Sequence, residues 1–177
     1  MLLNQEKTLF LIIDVQEKLL NAIFNKESVK KEANILAEAA RVLNIPVIVT
    51  EQYPKGLGQT IGNINDNAQV FEKTSFNAIE DLELLSEIKK SGRNQIIVFG
   101  IETHICVYQT VVALLDEKFD VTVVADACGS RAEREYNFGI DCMKRYGASI
   151  KTAEMVLFEL LKSSKHPNFK DIQALIK

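Results

Sequence analysis

Three side chains of this 177-residue chain form a chemically coherent set: Asp14, Lys73 and Cys106. A thiol attacks a carbonyl well only as its thiolate, so it needs a lowered pKa or a base to take its proton. Asp14 suits the base, accepting the thiol proton and later returning it to a leaving group. Lys73 suits a counter-charge for both acidic neighbours. Cys106 falls in the first turn of a helix expected over 103–118, where unpaired N–H groups and the helix dipole favour an anion. Backbone N–H groups around Glu102 and Cys106 are candidates to hold an oxyanion. Each residue alone has a plainer reading. Cys106, among Ile105, Val107 and Val111, fits a small buried hydrophobe. Asp14 fits an N-cap for a helix over 15–23, and Lys73 fits a surface charge. Their joint placement is what points to chemistry.

That placement comes from the elements around them. Residues 8–13 (TLFLII) are a continuous apolar run, as in a strand covered on both faces. Apolar side chains at Ala33, Leu36, Ala37, Ala40 and Leu43 have helical spacing over 31–44. Strands follow at 46–50, with Pro46 at the start, and at 69–72, ending at Lys73. Between them runs a polar, Gly-containing loop from Glu51 to about Asn67. A helix over 80–91 stops at Gly92, and strands at 95–99, 121–125 and 148–151 alternate with helices over 103–118 and 132–146. Two C-terminal helices finish the chain. Such alternation implies a parallel sheet with helices on both faces, in one domain spanning 1–177. In these sheets ligands bind beyond the carboxyl ends of the strands. Asp14, the Thr50–Glu51–Gln52 run, Lys73 and the Gly100–Cys106 segment all sit there, so Asp, Lys and Cys are expected on three adjacent strand ends.

Other chemistries fare worse. The chain has two histidines. His104 lies two residues from Cys106, a spacing that points the two side chains to different helix faces. His166 reads as part of a turn. Gly56 and Gly58 lack the following Gly-Lys-Ser/Thr of a P-loop, and no Gly-x-Gly-x-x-Gly follows the first strand. Asp126 reads as a turn or cap residue for 130–135. Cys128 and Cys142 read as structural; the three cysteines are widely spaced, against a disulfide framework or a cysteine zinc site. Charged residues make up 25% and the formal charge is −3, without a run of basic residues, so no nucleic-acid partner is expected. No apolar stretch reaches the roughly 18 residues of a membrane span. The N-terminus lacks signal-peptide features. The expectation is a soluble cytoplasmic protein with no cofactor and no metal.

The segments FLIIDVQEKLL, FEKTSFNAI and GIETHICVYQTVVALLDEKFDVTVVADACGSR resemble, in order, the isochorismatase-like cysteine hydrolases. TEQYPKGLG and the tail HPNFKDIQALIK look like the isochorismatase-domain-containing subgroup. The resemblance implies a three-layer α/β/α fold around a six-stranded parallel sheet. It implies the triad Asp14, Lys73 and Cys106, and a cis peptide at Ile101–Glu102 that turns backbone N–H groups into an oxyanion hole with Cys106. It also implies a supporting role for Gln16. Nicotinamidases of this superfamily hold a metal with Asp-x-His and a further His after the second strand. Here that stretch is Glu51-Gln52-Tyr53-Pro54, without His. Isochorismatases proper cleave a vinyl ether without a cysteine nucleophile, so Cys106 favours acyl transfer.

The expected activity is hydrolysis of a small amide or related acyl substrate through a thioester. Gln16, Gln52, Tyr53, Phe76 and Tyr108 are expected to line the substrate pocket, with Leu57 and His104 nearby. The alternative is a non-catalytic interaction or assembly module on the same fold. The tail residues Phe158, Leu161, Phe169, Ile172, Leu175 and Ile176 suggest uncovered apolar surface, hence a dimer or larger homo-oligomer. The competing reading packs that tail on its own sheet.

Overall fold

A computed structural model describes residues 2–66 and 68–177; Asn67, at the end of the expected loop, and Met1 lie outside the described residues. The 8–13 run forms β1 (Thr8–Ile13), buried along its whole length. Then come α1 (Glu17–Asn21), α2 (Lys26–Val42), β2 (Val47–Gln52), α3 (Pro54–Leu57) and β3 (Gln69–Lys73). The second half runs α4 (Leu82–Lys90), β4 (Gln95–Ile101), α5 (Tyr108–Asp116), β5 (Asp120–Gly129), α6 (Glu133–Tyr146), β6 (Ser149–Lys151), α7 (Ala153–Leu161) and α8 (Phe169–Leu175). All six strands are parallel, in the order β3-β2-β1-β4-β5-β6. Helices cover both faces, which is why β1 and β4 carry no polar alternation. The edge strands β3 and β6 are short, which limits their open hydrogen-bonding edges.

This order reverses direction between β1 and β4. The chain winds outward from β1 through β2 to β3, then returns to the other side of β1 and winds through β4 to β6. The loops after β1 and β4 therefore part company, at the kind of place where ligands bind in sheets of this class. Asp14 follows one of these strands and Cys106 the other. Lys73 departs from expectation: β2 stands between β3 and β1, so the three residues do not come from three adjacent strands. The long lysine stem spans the intervening strand.

Several boundaries also move. α2 begins at Lys26, a turn and a half before the apolar spacing reveals it. β5 runs on to Gly129, past the expected end at 125. Asp126 thus lies inside a strand, and its Oδ1 accepts from the Ala153 N–H at 2.8 Å. It caps the start of α7, not the 130–135 segment. The C-terminal tail packs back on the domain. Ile172 and Leu161 are buried, Phe169 stacks edge-on to Phe158, and Leu175 and Ile176 pack against the core. Phe158 nevertheless stays 40% exposed, so the tail covers its apolar surface only in part. Exposed Phe24, Tyr53, Phe76, Leu82 and Phe138 lie elsewhere. His166 sits in a turn, its Nδ1 accepting from the Asn168 N–H. Among the described residues no helix is long and apolar enough to cross a membrane.

Candidate active site

β1 ends where Asp14 takes a positive φ of 51°. Asp tolerates this region better than most residues, and the bend lifts its carboxylate out of the strand direction. The carboxylate is fully buried and accepts from two partners. Oδ2 accepts from Lys73 Nζ at 2.7 Å, and Oδ1 accepts from Thr50 Oγ1 at 2.7 Å. Cys106 lies close enough to feel the charge of the same carboxylate. A charge-assisted set of this kind is needed, because an isolated buried carboxylate would be strongly disfavoured.

Lys73 is as buried as its partner, and its ammonium is fully engaged. Besides Asp14 it donates to Gln52 Oε1 at 2.7 Å and to the Ser75 carbonyl at 3.2 Å. Three donors meet three protein acceptors. Lys73 is thus a fixed positive charge on Asp14 and Cys106, with no spare proton aimed at a ligand.

Cys106 lies in a π-helical turn, Thr103–Val107, at the head of α5. Such turns widen the helix locally and recur at functional sites. Here the Glu102 carbonyl accepts from both the Ile105 and Val107 N–H groups. The thiol is 7% exposed. Burial pushes it up to about 12, helped by the negative charge of Asp14 and opposed by Lys73. A hydrogen bond to Asp14 raises it further, and a backbone hydrogen bond from Glu102 lowers it. A helix start by itself favours a thiolate. Here desolvation outweighs that effect, and the resting group is the neutral thiol.

Ile101 and Glu102, named with Cys106 as candidates for an oxyanion hole, lie at the end of β4 just before the π-helical turn. The Ile101–Glu102 peptide is cis. Glu102 Oε2 accepts from the Arg131 N–H at 2.9 Å and from its Nε at 3.1 Å, which pins the residue whose backbone faces the sulfur. Gly100 explains itself by space: a Cβ there would stand 2.0 Å from the Ile13 carbonyl oxygen. Gly139 plays a similar part from α6, where a Cβ would crowd the His104 backbone at 3.1 Å. His104 itself turns to Ser130, with Nδ1 and Oγ 3.0 Å apart.

The expected pocket residues divide. Gln16 is buried and structural: its Nε2 donates to the Gln52 and Gly58 carbonyls, and its Oε1 accepts from the Gln52 N–H at 2.7 Å. Gln52 holds Lys73 and is not simply a pocket wall. Tyr53 and Phe76 are exposed on the loops that follow β2 and β3, and Tyr108 is half-buried at the start of α5. Thr50, a strand-end residue in the sequence, stands in register with Ile13, next to Asp14, and this register brings it to the carboxylate. Among the described residues no cluster of three or more His, Cys, Asp or Glu has metal-binding geometry.

Comparison with known proteins bears on the family and the fold. The family model described as isochorismatase domain matches residues 8–155. Isochorismatase domain-containing protein 2 of Xenopus laevis is 39% identical over 98% of this chain and 85% of its own length. A solved structure of MAR1 ribonuclease from Caenorhabditis elegans is 35% identical, with a TM-score of 0.93 over 99% of this chain and 92% of that one. YcaC from Pseudomonas aeruginosa, solved with hexane-2,5-diol and covalent acrylamide, is 26% identical, with a TM-score of 0.93 over 98% of this chain and 91% of that one.

Proposed function

This chain belongs to the isochorismatase family, and from that premise we propose that it is a cysteine-dependent hydrolase of a small amide or related acyl substrate. The observation that carries the reading is the buried Cys106 beside a carboxylate that Lys73 and Thr50 hold in place. Because the resting sulfur keeps its proton, attack and deprotonation go together. Asp14 takes the thiol proton as sulfur bonds to the substrate carbonyl carbon. The developing oxyanion faces the backbone N–H groups near Glu102 and Cys106. The C–N bond then breaks, and the proton on Asp14 passes to the departing amine. Water attacks the thioester, gives its proton to Asp14, and releases the acid as the proton returns to sulfur. No step calls on a metal or a cofactor.

The near-sealed nucleophile favours a small substrate. A thiol that is 7% exposed does not meet a bulky polymer face to face. That, and the net charge of −3, weigh against RNA, which the name of the Caenorhabditis relative raises. The test is ammonia release from a panel of small amides, with acrylamide labelling read by mass at each cysteine. Turnover lost in Cys106→Ala and Asp14→Asn, with Cys106 the preferred acrylamide site, is the expected result. Absence of ammonia release together with an unlabelled Cys106 would leave the fold as an interaction module. RNA cleavage that Cys106→Ala abolishes would replace the amide with a phosphodiester.

A further inference from the structure

The loop geometry beyond β1 leaves a problem that one side chain solves. β1 pairs with β2 only as far as Ile13 and Thr50, because the bend at Asp14 takes β1 out of the sheet. β2 and β3 continue together for two more residues, to Gln52 and Lys73. Gln52 has therefore lost its backbone partner on the β1 side. The Gln16 side-chain amide takes that place, accepting from the Gln52 N–H at 2.7 Å and donating to its carbonyl at 3.0 Å. It acts as a substitute peptide unit, satisfying backbone groups that would otherwise be stranded in a nearly closed site.

The Gln52 side chain has two partners of its own. Its Nε2 donates to the Thr74 carbonyl at 2.8 Å, and its Oε1 accepts from Lys73 Nζ at 2.7 Å. The amide cannot be flipped. A lysine ammonium only donates and a carbonyl only accepts, so the reversed amide would lose both bonds. The oxygen of Gln52 and the oxygen of Asp14 thus grip the ammonium together.

We propose that Gln52 is a positioning residue for the reaction, a neutral acceptor that fixes the Lys73 ammonium on Asp14 beside the Cys106 thiol. The role rests on the cysteine-hydrolase reading above. Neutrality is the essential property. A carboxylate here would compete with Asp14 for the one counter-charge, and an apolar side chain would leave an ammonium proton unpaired in a buried place.

The test uses the full chain, with acrylamide as probe and the second-order rate of modification at Cys106 as readout from pH 6 to 10. Exposed Cys142 serves as an internal reference thiol. Gln52→Met keeps the bulk and removes the acceptor; Cys106 modification is expected to slow about tenfold, the loss of a hydrogen bond to a charged group. Gln52→Glu keeps an oxygen on Lys73 but adds charge; its profile is expected to lie about one unit higher, read as Cys106 rates about tenfold lower at each pH from 6 to 10. A Gln52→Met protein that reacts at the original rate overturns the role. Should that variant fail to fold, an unshifted profile in Gln52→Glu overturns it instead. A different failure is kept apart: if Cys106 of the unaltered protein reacts no faster than Cys142, the hydrolase reading itself falls, and this role with it.

Discussion

Replacing Gly100 by Ala should disable the site from its backbone side, without touching any group that does chemistry. Gly100 lies opposite Ile13 in the β1–β4 ladder, and Ile13 is the residue before Asp14. A Cβ at Gly100 would sit 2.0 Å from the Ile13 oxygen and 2.8 Å from its carbonyl carbon and nitrogen. An ordinary C···O approach is about 3.3 Å. The two strands must therefore part by about 1.3 Å at the point that aims Asp14 at Cys106. A displacement of about 1 Å at a reacting pair costs on the order of a hundredfold in rate. Overpacking of this kind costs about 1–3 kcal/mol in stability, and the φ of 131° adds strain for any side chain. The assay is the acrylamide rate at Cys106 together with chemical denaturation. Gly147→Ala is the control, since Gly147 has a φ of 114° but open space where its Cβ would go. It should lose about 1 kcal/mol of stability and none of the rate. A Gly100→Ala protein with the original Cys106 rate would refute the claim that this contact sets the position of Asp14.

Lys73→Met should cost about 3–5 kcal/mol in a denaturant titration, because it strands the Asp14 carboxylate in the interior. The double change with Asp14→Asn should cost less than the sum of the two single losses; strict additivity would mean that the pair does not act as a unit. Folding stability should fall with rising alkalinity. The fully buried Cys128 thiol is pushed up to about 12 by burial, from an ordinary 9.0. The folded state therefore holds a proton that the unfolded chain gives up. The stabilisation is full below pH 9 and is lost as pH rises toward 12, at up to about 1.4 kcal/mol per pH unit for this group. Cys128→Ala should flatten the slope; an unchanged slope from pH 9 to 11 would place the ionisation elsewhere. Light scattering at micromolar concentration should give a dimer or larger, with exposed Phe24, Phe76, Leu82, Phe138 and Phe158 as the residues to mutate one by one, and a clean monomer mass would refute this. Purified protein should carry no stoichiometric zinc, iron or manganese, and a chelator that slows Cys106 modification would contradict the metal-free mechanism.

Much of this molecule could be read from the order of its residues. Apolar runs at 8–13 and 95–99 disclose strands covered on both faces, because a parallel sheet sandwiched by helices has no wet side. Alternation with amphipathic helices discloses the layers, and the carboxyl-edge rule picks out Asp14, Lys73 and Cys106 as residues to watch. These signals are local, repeating every two or 3.6 residues. What tertiary structure decided is everything that depends on contact across strands. That Lys73 comes from an edge strand and reaches over β2 follows from sheet order, which no local period encodes. That Gln16 stands in for a missing strand, that Gln52 grips Lys73 and that Thr50 holds Asp14 follow from where β1 bends away. The state of the thiol is the clearest case. A helix start suggests an anion, but the neighbours that desolvate Cys106 are gathered from distant parts of the chain, and their burial of the sulfur outweighs the dipole.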